Sequence, residues 1–412
     1  MYCVACGTRR IIGYRFCEHC GNQFVERRAV SPNDTEQGLI TTYYKSGYSH
    51  KTIIQFMTEK HNINLSLTTL KRRIRSYGLS RLQNVDDNTL SGIVQNEVNG
   101  SSSNFGYRSM WGLLKSKYGI DCTRDKVMTT LRCLDPDGTK QRKSRVLKRR
   151  RYKSKGPNDT WHMDGYDKLK PYGLPIHGAI DGFSRKIIWL AVCKSNNNPS
   201  IPAYLYLEAI KKEIIPRLLR TDAGTENGTT AAIHCALHEN INAHKYGSSV
   251  SNQRIENWWS SLRRTYTGWV IDFFKRKIDN GSFVTGSWLF QETSWFAFSP
   301  LLQKELFNVV KNWNCHRIRK SGFDTIGGIP NQLYDLPTSF GFEEQGTRVT
   351  EEDLNKIDGI KDIENNFCSL NSCDIDLKGY FEHVIATKDI PYPPSNWVAA
   401  EQLFDLLISL CT

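Results

Sequence analysis

The 412-residue sequence predicts a multidomain α+β protein with a small metal-held module, two helical units, an α/β core and a helical C-terminal extension. Three observations lead there. Four cysteines fall in two closely spaced pairs within the first 20 residues. Between about residues 34 and 135, apolar residues recur at helical spacing, and from Thr160 onward they alternate as strands before returning to helices. Length alone implies about two to four domains.

Charge is distributed unevenly. Lys and Arg number 55 against 42 Asp and Glu, a formal net charge of +13. Residues 1–160 carry a net +16, residues 161–340 a net +6 and residues 341–412 a net −9. A clustered basic front points to a polyanion, most often nucleic acid, with a solvated basic surface as the plainer reading. The acidic tail is read either as a shield for a basic groove or as a solvated face. No apolar run reaches the ~20 residues that span a bilayer. The N-terminus lacks the apolar stretch of a secretory signal. The expectation is therefore no membrane partner and an intracellular protein, nuclear if its host is eukaryotic.

Residues 1–26 hold Cys3-x2-Cys6 and Cys17-x2-Cys20, each pair followed by Gly. Two such knuckles supply four thiolates in a tetrahedron, which suits Zn²⁺. About 25 residues bury too little to fold alone, so the metal would supply much of the stability. The spacing resembles a zinc ribbon.

Residues 34–82 read as a helix-turn-helix. Ser49 and Ser66 stand where helix N-caps belong, ahead of Ile53, Ile54 and Met57, and of Leu67, Leu70, Ile74 and Tyr77. Gly78 stands at a C-cap. The outer face of the last helix carries Lys71, Arg72, Arg73 and Arg75, the pattern a recognition helix presents to a major groove. Residues 84–135 read as a second helix-turn-helix-like unit. Its stripes are Tyr107, Trp111, Leu114 and Tyr118, then Val127 and Leu131. Residues 136–158 read as a polar, basic linker containing Arg149, Arg150 and Arg151, either a phosphate-contacting strap, a nuclear-localisation signal or a solvated linker.

The core, 159–340, opens with Trp161-His-Met-Asp164, a strand with a carboxylate inside it. Residues 176–192 read as two strands joined at Asp181-Gly182, a hairpin signal. A helix follows at about 200–213, then a strand ending at Thr221-Asp222. Ser251-Asn-Gln-Arg-Ile-Glu256 begins a strongly helical stretch. Asp167, three positions after Asp164, is expected on the opposite face of the strand. Asp181 is read as a hairpin residue, and Glu226 is left without a role.

Strand, strand end and helix thus carry Asp164, Asp222 and Glu256, with 33 residues between the last two. With Trp161-x2-Asp164, Ile180-Asp-Gly-Phe-Ser-Arg185, Thr221-Asp-Ala-Gly224, Asn252-Gln-Arg-Ile-Glu256, Trp313-Asn-x-His316 and Gly328-Ile-Pro-Asn-Gln-Leu-Tyr334, this resembles the integrase and transposase family with an Asp-Asp-Glu triad. The resemblance covers about 160–335. It implies a ribonuclease H-like α/β core with a mixed sheet, and two Mg²⁺ (or Mn²⁺) ions held by Asp164, Asp222 and Glu256. It also implies metal-dependent DNA end cleavage followed by strand transfer to double-stranded DNA, carried out by a homo-oligomer. Arg263, two turns after Glu256, becomes a DNA-contact candidate. Ala223 stands where retroviral integrases commonly have Asn, the front module lacks their His/His/Cys/Cys pattern, and the 33-residue interval is shorter than the familiar 35. The first two departures point away from a close retroviral relative and toward another integrase-like or transposon-derived lineage.

The residue types suit that chemistry. Two hard divalent ions about 3.5–4 Å apart stabilise both the attacking and the leaving oxygen of an in-line phosphodiester exchange. Such ions want carboxylate oxygens. Two other readings share most of these features: a catalytically silent, transposon-derived DNA-binding protein, and a nuclease that cuts without joining. The aromatic run Trp258, Trp259, Tyr266, Trp269, Phe273 and Phe274 is read as packing ahead of base stacking. Residues 341–412 form the acidic extension, in which Trp397 to Leu410 is amphipathic and either docks on the core or mediates self-association.

Overall fold

The computed structural model describes residues 35–79, 85–120, 122–143, 152–211, 214–247, 252–320 and 326–412. The cysteines Cys3, Cys6, Cys17 and Cys20 and the linker arginines Arg149, Arg150 and Arg151 lie outside the described residues.

Three helices come first: α1 (Glu36–Lys45), α2 (His50–His61) and α3 (Leu67–Ser76). The hydroxyls of Ser49 and Ser66 accept from the backbone N–H of Thr52 and Thr69, each at 3.1 Å, and so start α2 and α3. Gly78, at φ +64°, closes α3. Ile40, Ile53, Phe56, Met57, Leu70 and Ile74 form the shared core. Leu336, far along the chain, completes it, so this unit is docked against the segment that follows the core strands.

The second unit has α4 (Asp87–Asn99), α5 (Tyr107–Tyr118), α6 (Arg124–Leu134) and α7 (Pro136–Lys143). Here the predicted stripe needs correcting. The buried face of α5 is Met110, Leu113 and Leu114, while Trp111 is half-buried and Tyr118 is exposed. Aromatic size drew the stripe to the wrong flank. The face is fixed by contact with Leu90 and Val94 of α4, a helix that the sequence reading did not separate. The start of the expected linker is also helical, as α7.

The core strands are β1 (Trp161–Tyr166), β2 (Ile176–Asp181) and β3 (Ile187–Val192). Then come α8 (Ser200–Ile210), β4 (Ile214–Ile215), β5 (Leu219–Thr221), α9 (Gly228–Leu237) and β6 (His244–Tyr246). Five strands form one sheet in the order β3-β2-β1-β5-β6. β1, β2 and β3 pair antiparallel, and β5 runs parallel to β1 and β6. The parallel pairs need crossovers, which α8 and α9 provide. A mixed sheet of this order is consistent with a ribonuclease H-like core.

Strand alternation assigns the faces. Trp161, Met163 and Ala179 point to α8 and α9, against Tyr206, Leu207 and Ile233. Ile176 and Ile180 point the other way, to α10 (Gln253–Leu262), α11 (Gly268–Asp279) and α12 (Trp288–Cys315). β3 is an edge strand, and α12 satisfies it: Gln303 Oε1 accepts from the Val192 N–H at 2.8 Å, and Asn314 Oδ1 accepts from the Ile187 N–H at 2.8 Å.

The chain ends with α13 (Pro330–Asp335), β7 (Thr347–Arg348) paired with β4, α14 (Glu351–Asn355), α15 (Ile360–Leu370), α16 (Ile375–Thr387) and α17 (Trp397–Cys411). α16 and α17 are not peripheral. Phe381, Leu403, Phe404 and Leu407 are buried in the same cluster as Trp258, Phe274 and Phe298. Lys277 of α11 bonds Asp405 of α17 at 2.7 Å.

Candidate active site

Asp164 lies inside β1, and its side chain alternates away from Trp161 and Met163 toward α10. Asp222 follows the last residue of β5, the strand beside β1. Glu256 lies in the first turn of α10. Asp164 and Glu256 both feel the charge of Asp222. Burial pushes Asp164 up to about 7, and the charges of Asp222 and Glu256 push in the same direction. Glu256 is also raised, by burial and then by Asp222, while Lys168 opposes the rise.

α10 is fixed to β1 at both ends of its first two turns. Trp259 Nε1 donates to Asp164 Oδ2 at 2.9 Å. The indole lies over β2 at Gly178, where a Cβ would come within 2.8 Å of Trp259, so only glycine leaves room. At the helix start, Asn252 Nδ2 donates to the Met163 carbonyl at 3.0 Å. That leaves Asn252 Oδ1 to accept from His162 Nδ1 at 2.8 Å, and His162 Nε2 accepts from the Tyr152 hydroxyl at 2.7 Å. Burial holds His162 down at about 3, so it is a neutral strut with one defined tautomer.

Asp222 is held from its own loop. Asn227 Nδ2 donates to Asp222 Oδ1 at 2.8 Å and to Glu226 Oε1 at 3.1 Å. Glu226 is raised, by burial first and then by Asp222 and Asp167. The expected placement of Asp167 is therefore corrected. β1 stops at Tyr166 and a 3-10 turn begins at Asp167, so strand alternation no longer applies and its charge reaches Glu226. Asp181 is a hairpin residue, accepting from the N–H of Asn158 and Ser184 and from the Ser184 hydroxyl.

Among the described residues, no three His, Cys, Asp or Glu side chains stand close enough to form a ready-made metal cluster. The donor set still fits hard divalent cations. It is all carboxylate, and the charge of Asp222 raises the proton affinity of both Asp164 and Glu256, a repulsion that a bound cation would relieve.

The basic candidates divide. Lys71, Arg72 and Arg75 are exposed on α3, whereas Arg73 is ion-paired with Glu36 of α1. Arg263 is exposed at the end of α10, and its charge reaches Tyr166. Arg263 opens a π turn closed by the Gly268 N–H on its carbonyl, and a Cβ at Gly268 would stand 2.6 Å from that oxygen. Trp258, Tyr266, Phe273 and Phe274 are buried, as the packing reading expected. Sequence reasoning gave no site role to Trp259, Asn227 or Lys168. Trp259 had a detectable signal, since it lies at i+3 from Glu256.

A mixed sheet in this order, with Asp164 inside β1, Asp222 just after β5 and Glu256 on α10, is consistent with a ribonuclease H-like integrase core. Residues 151–337 match the family model of the integrase core domain. No curated protein matches the chain. One similar solved structure is a chain of the simian T-cell lymphotropic virus intasome in complex with a PP2A regulatory subunit, with 14% identity and a TM-score of 0.30 over 62% of this chain and 77% of that one. The likeness to that family rests on the integrase core match. Among the described residues, no helix is long and apolar enough to cross a membrane.

Proposed function

We propose that the chain is a metal-dependent polynucleotidyl transferase that cleaves DNA ends and joins them to double-stranded DNA. The observation that carries this reading is the placement of Asp164 inside β1, Asp222 just after the neighbouring β5 and Glu256 in the first turn of α10, the helix that Trp259 ties to Asp164. Asp164, Asp222 and Glu256 would hold two Mg²⁺ or Mn²⁺ ions, which supply charge stabilisation to both oxygens of the exchanged phosphodiester. The protein's own residues do the positioning. Trp259 orients Asp164, Asn227 orients Asp222, and the Tyr152–His162–Asn252 chain fixes the helix that presents Glu256. Lys168 places positive charge beside Glu256 and Arg263 places it beside Tyr166, where a DNA phosphate would be drawn. Lys71, Arg72 and Arg75 present a second basic face on α3 for duplex DNA.

On this reading Cys3, Cys6, Cys17 and Cys20 hold a Zn²⁺ that folds the front module, Arg149, Arg150 and Arg151 strap phosphate, and the active form is a homo-oligomer. Calorimetric titration of zinc-loaded protein with Mn²⁺ tests the metal site. Wild type should bind, and Asp222→Asn should bind far more weakly. Equal heats from both would leave the silent DNA-binding protein as the better reading.

A further inference from the structure

A groove of about 790 Å³ opens where both front helical units meet the C-terminal end of α12. It lies apart from the carboxylates, and none of its lining residues belongs to the exposed face of α3. Lys45 enters it from the end of α1, Arg108 and Lys115 from α5, and Arg124 from the start of α6. Lys311 of α12 and, just beyond that helix, Arg317 and Arg319 complete the opposite wall. No carboxylate lines the groove among the described residues. Ser46, Ser49, Ser116 and Asn312 add hydrogen-bonding groups between the cations.

The cations are held in place from below. Trp111 forms part of the lining, its indole N–H donating to the Cys122 carbonyl at 2.8 Å. The Arg124 guanidinium stands 4.4 Å and the Lys115 ammonium 5.2 Å from the Trp111 ring centre. Arg108, Lys311, Arg317 and Arg319 are exposed. His316, also in the lining, is held below its usual range by burial, with smaller pushes from Arg185 and from Arg108 of the groove.

We infer that this groove binds the sugar–phosphate backbone of a DNA strand, as a contact surface separate from the carboxylate site and from α3. Seven like charges facing one cavity repel one another, and a polyanion relieves that repulsion. The charges are spread along the groove and do not converge on a point. Arg108 and Lys115 alone are about 10 Å apart along α5, a span of roughly three phosphates of one strand. The lining is dominated by cations and hydroxyls spread along one wall and the other, which suits a run of phosphates, so affinity should differ little between unrelated sequences.

The inference rests on the proposed action on DNA, and the test separates the two. Full-length, zinc-loaded protein is titrated by fluorescence anisotropy against fluorescein-labelled duplexes of two unrelated sequences across a salt series. The variant carries Arg108→Ala, Lys311→Ala, Arg317→Ala and Arg319→Ala together. All four side chains are exposed, so its melting temperature should match wild type. A second variant replaces the three arginines with lysine and keeps the charge. The alanine variant should bind both duplexes at least about tenfold more weakly, with a log–log salt slope shallower by about 0.9 for each phosphate no longer neutralised. The lysine variant should bind like wild type. Alanine and wild-type proteins with equal affinity and equal slope would overturn the groove while leaving DNA binding intact. Wild-type protein that binds neither duplex would overturn both readings.

Discussion

The indole N–H of Trp259 donates to Oδ2 of Asp164 across 2.9 Å, joining the helix that carries Glu256 to the strand that carries Asp164. One bond therefore sets both the orientation of a carboxylate and the spacing between two candidate metal ligands. The neighbouring tryptophan differs: Trp258 packs on Trp313 with ring centres 4.4 Å apart.

Trp259→Phe keeps the ring and removes the donor. A hydrogen bond to a charged group contributes about 1.5–3 kcal/mol, so the rate should fall by about one to two orders of magnitude. The melting temperature should change little. A positioning role also predicts that more Mn²⁺ is needed to reach half-maximal activity. An unchanged metal requirement would mean that the bond serves packing alone.

Asn252→Leu strips His162 Nδ1 of its acceptor and the Met163 carbonyl of a donor. Leaving buried polar groups unpaired costs about 1–3 kcal/mol each. Denaturant unfolding should show that loss, and activity should fall further than stability because Glu256 moves with α10. A variant of wild-type stability would show that the strut bears no strain.

Phe404→Ala tests whether the acidic tail is part of the core. Phe404 is fully buried and packs near Phe283, Phe290 and Phe298. Truncating a buried Phe costs about 3–5 kcal/mol. Denaturant titration should show one cooperative transition shifted by that amount. A loss below about 1 kcal/mol would mark the tail as an independent appendage.

Acid should destabilise the protein before it unfolds by other routes. Burial holds His177 at about 4, His234 at about 3 and His244 at about 4, as it holds His162 at about 3. The unfolded chain protonates these rings below about pH 6.5 and the native chain does not. The unfolded state then binds more protons, so stability is lost as pH falls from about 6.5 toward 4. Asp181, raised to about 6 by burial, Asp164, Glu226 and Glu256 act in the opposite sense, but His316, also lowered by burial, joins the four rings, and five rings that the unfolded chain protonates outweigh them. Melting temperature should drop between about pH 7 and pH 5, and less so in His234→Gln. A flat profile would contradict the buried neutral histidines.

Much of the site was legible in the sequence, for physical reasons. Ser49 and Ser66 announce helix starts because a hydroxyl there has an orphan N–H to accept from. Asp181-Gly182 announces the hairpin. The strand, strand-end and helix positions of Asp164, Asp222 and Glu256 follow from local pattern and motif order. What was not legible depends on contacts distant in sequence. Trp259 and Trp258 look alike until the phase of α10 against β1 is known. The buried flank of α5 is chosen by α4, not by its own largest side chains. The amphipathic stretch from Trp397 to Leu410 left docking and self-association open, and Leu403 and Phe404 decide for docking through partners on α11 and α12 far back in the chain, while Phe381, outside that stretch, gave no signal.

Nicking of supercoiled plasmid in Mn²⁺, with wild type beside Asp164→Asn, Asp222→Asn and Glu256→Gln, tests the central claim most directly, because it needs no knowledge of the DNA ends. Wild type should convert the plasmid to the open circle and each variant should leave it supercoiled while still binding DNA. Nicking by any of the three variants at the wild-type rate would contradict the assignment of that carboxylate to the active site.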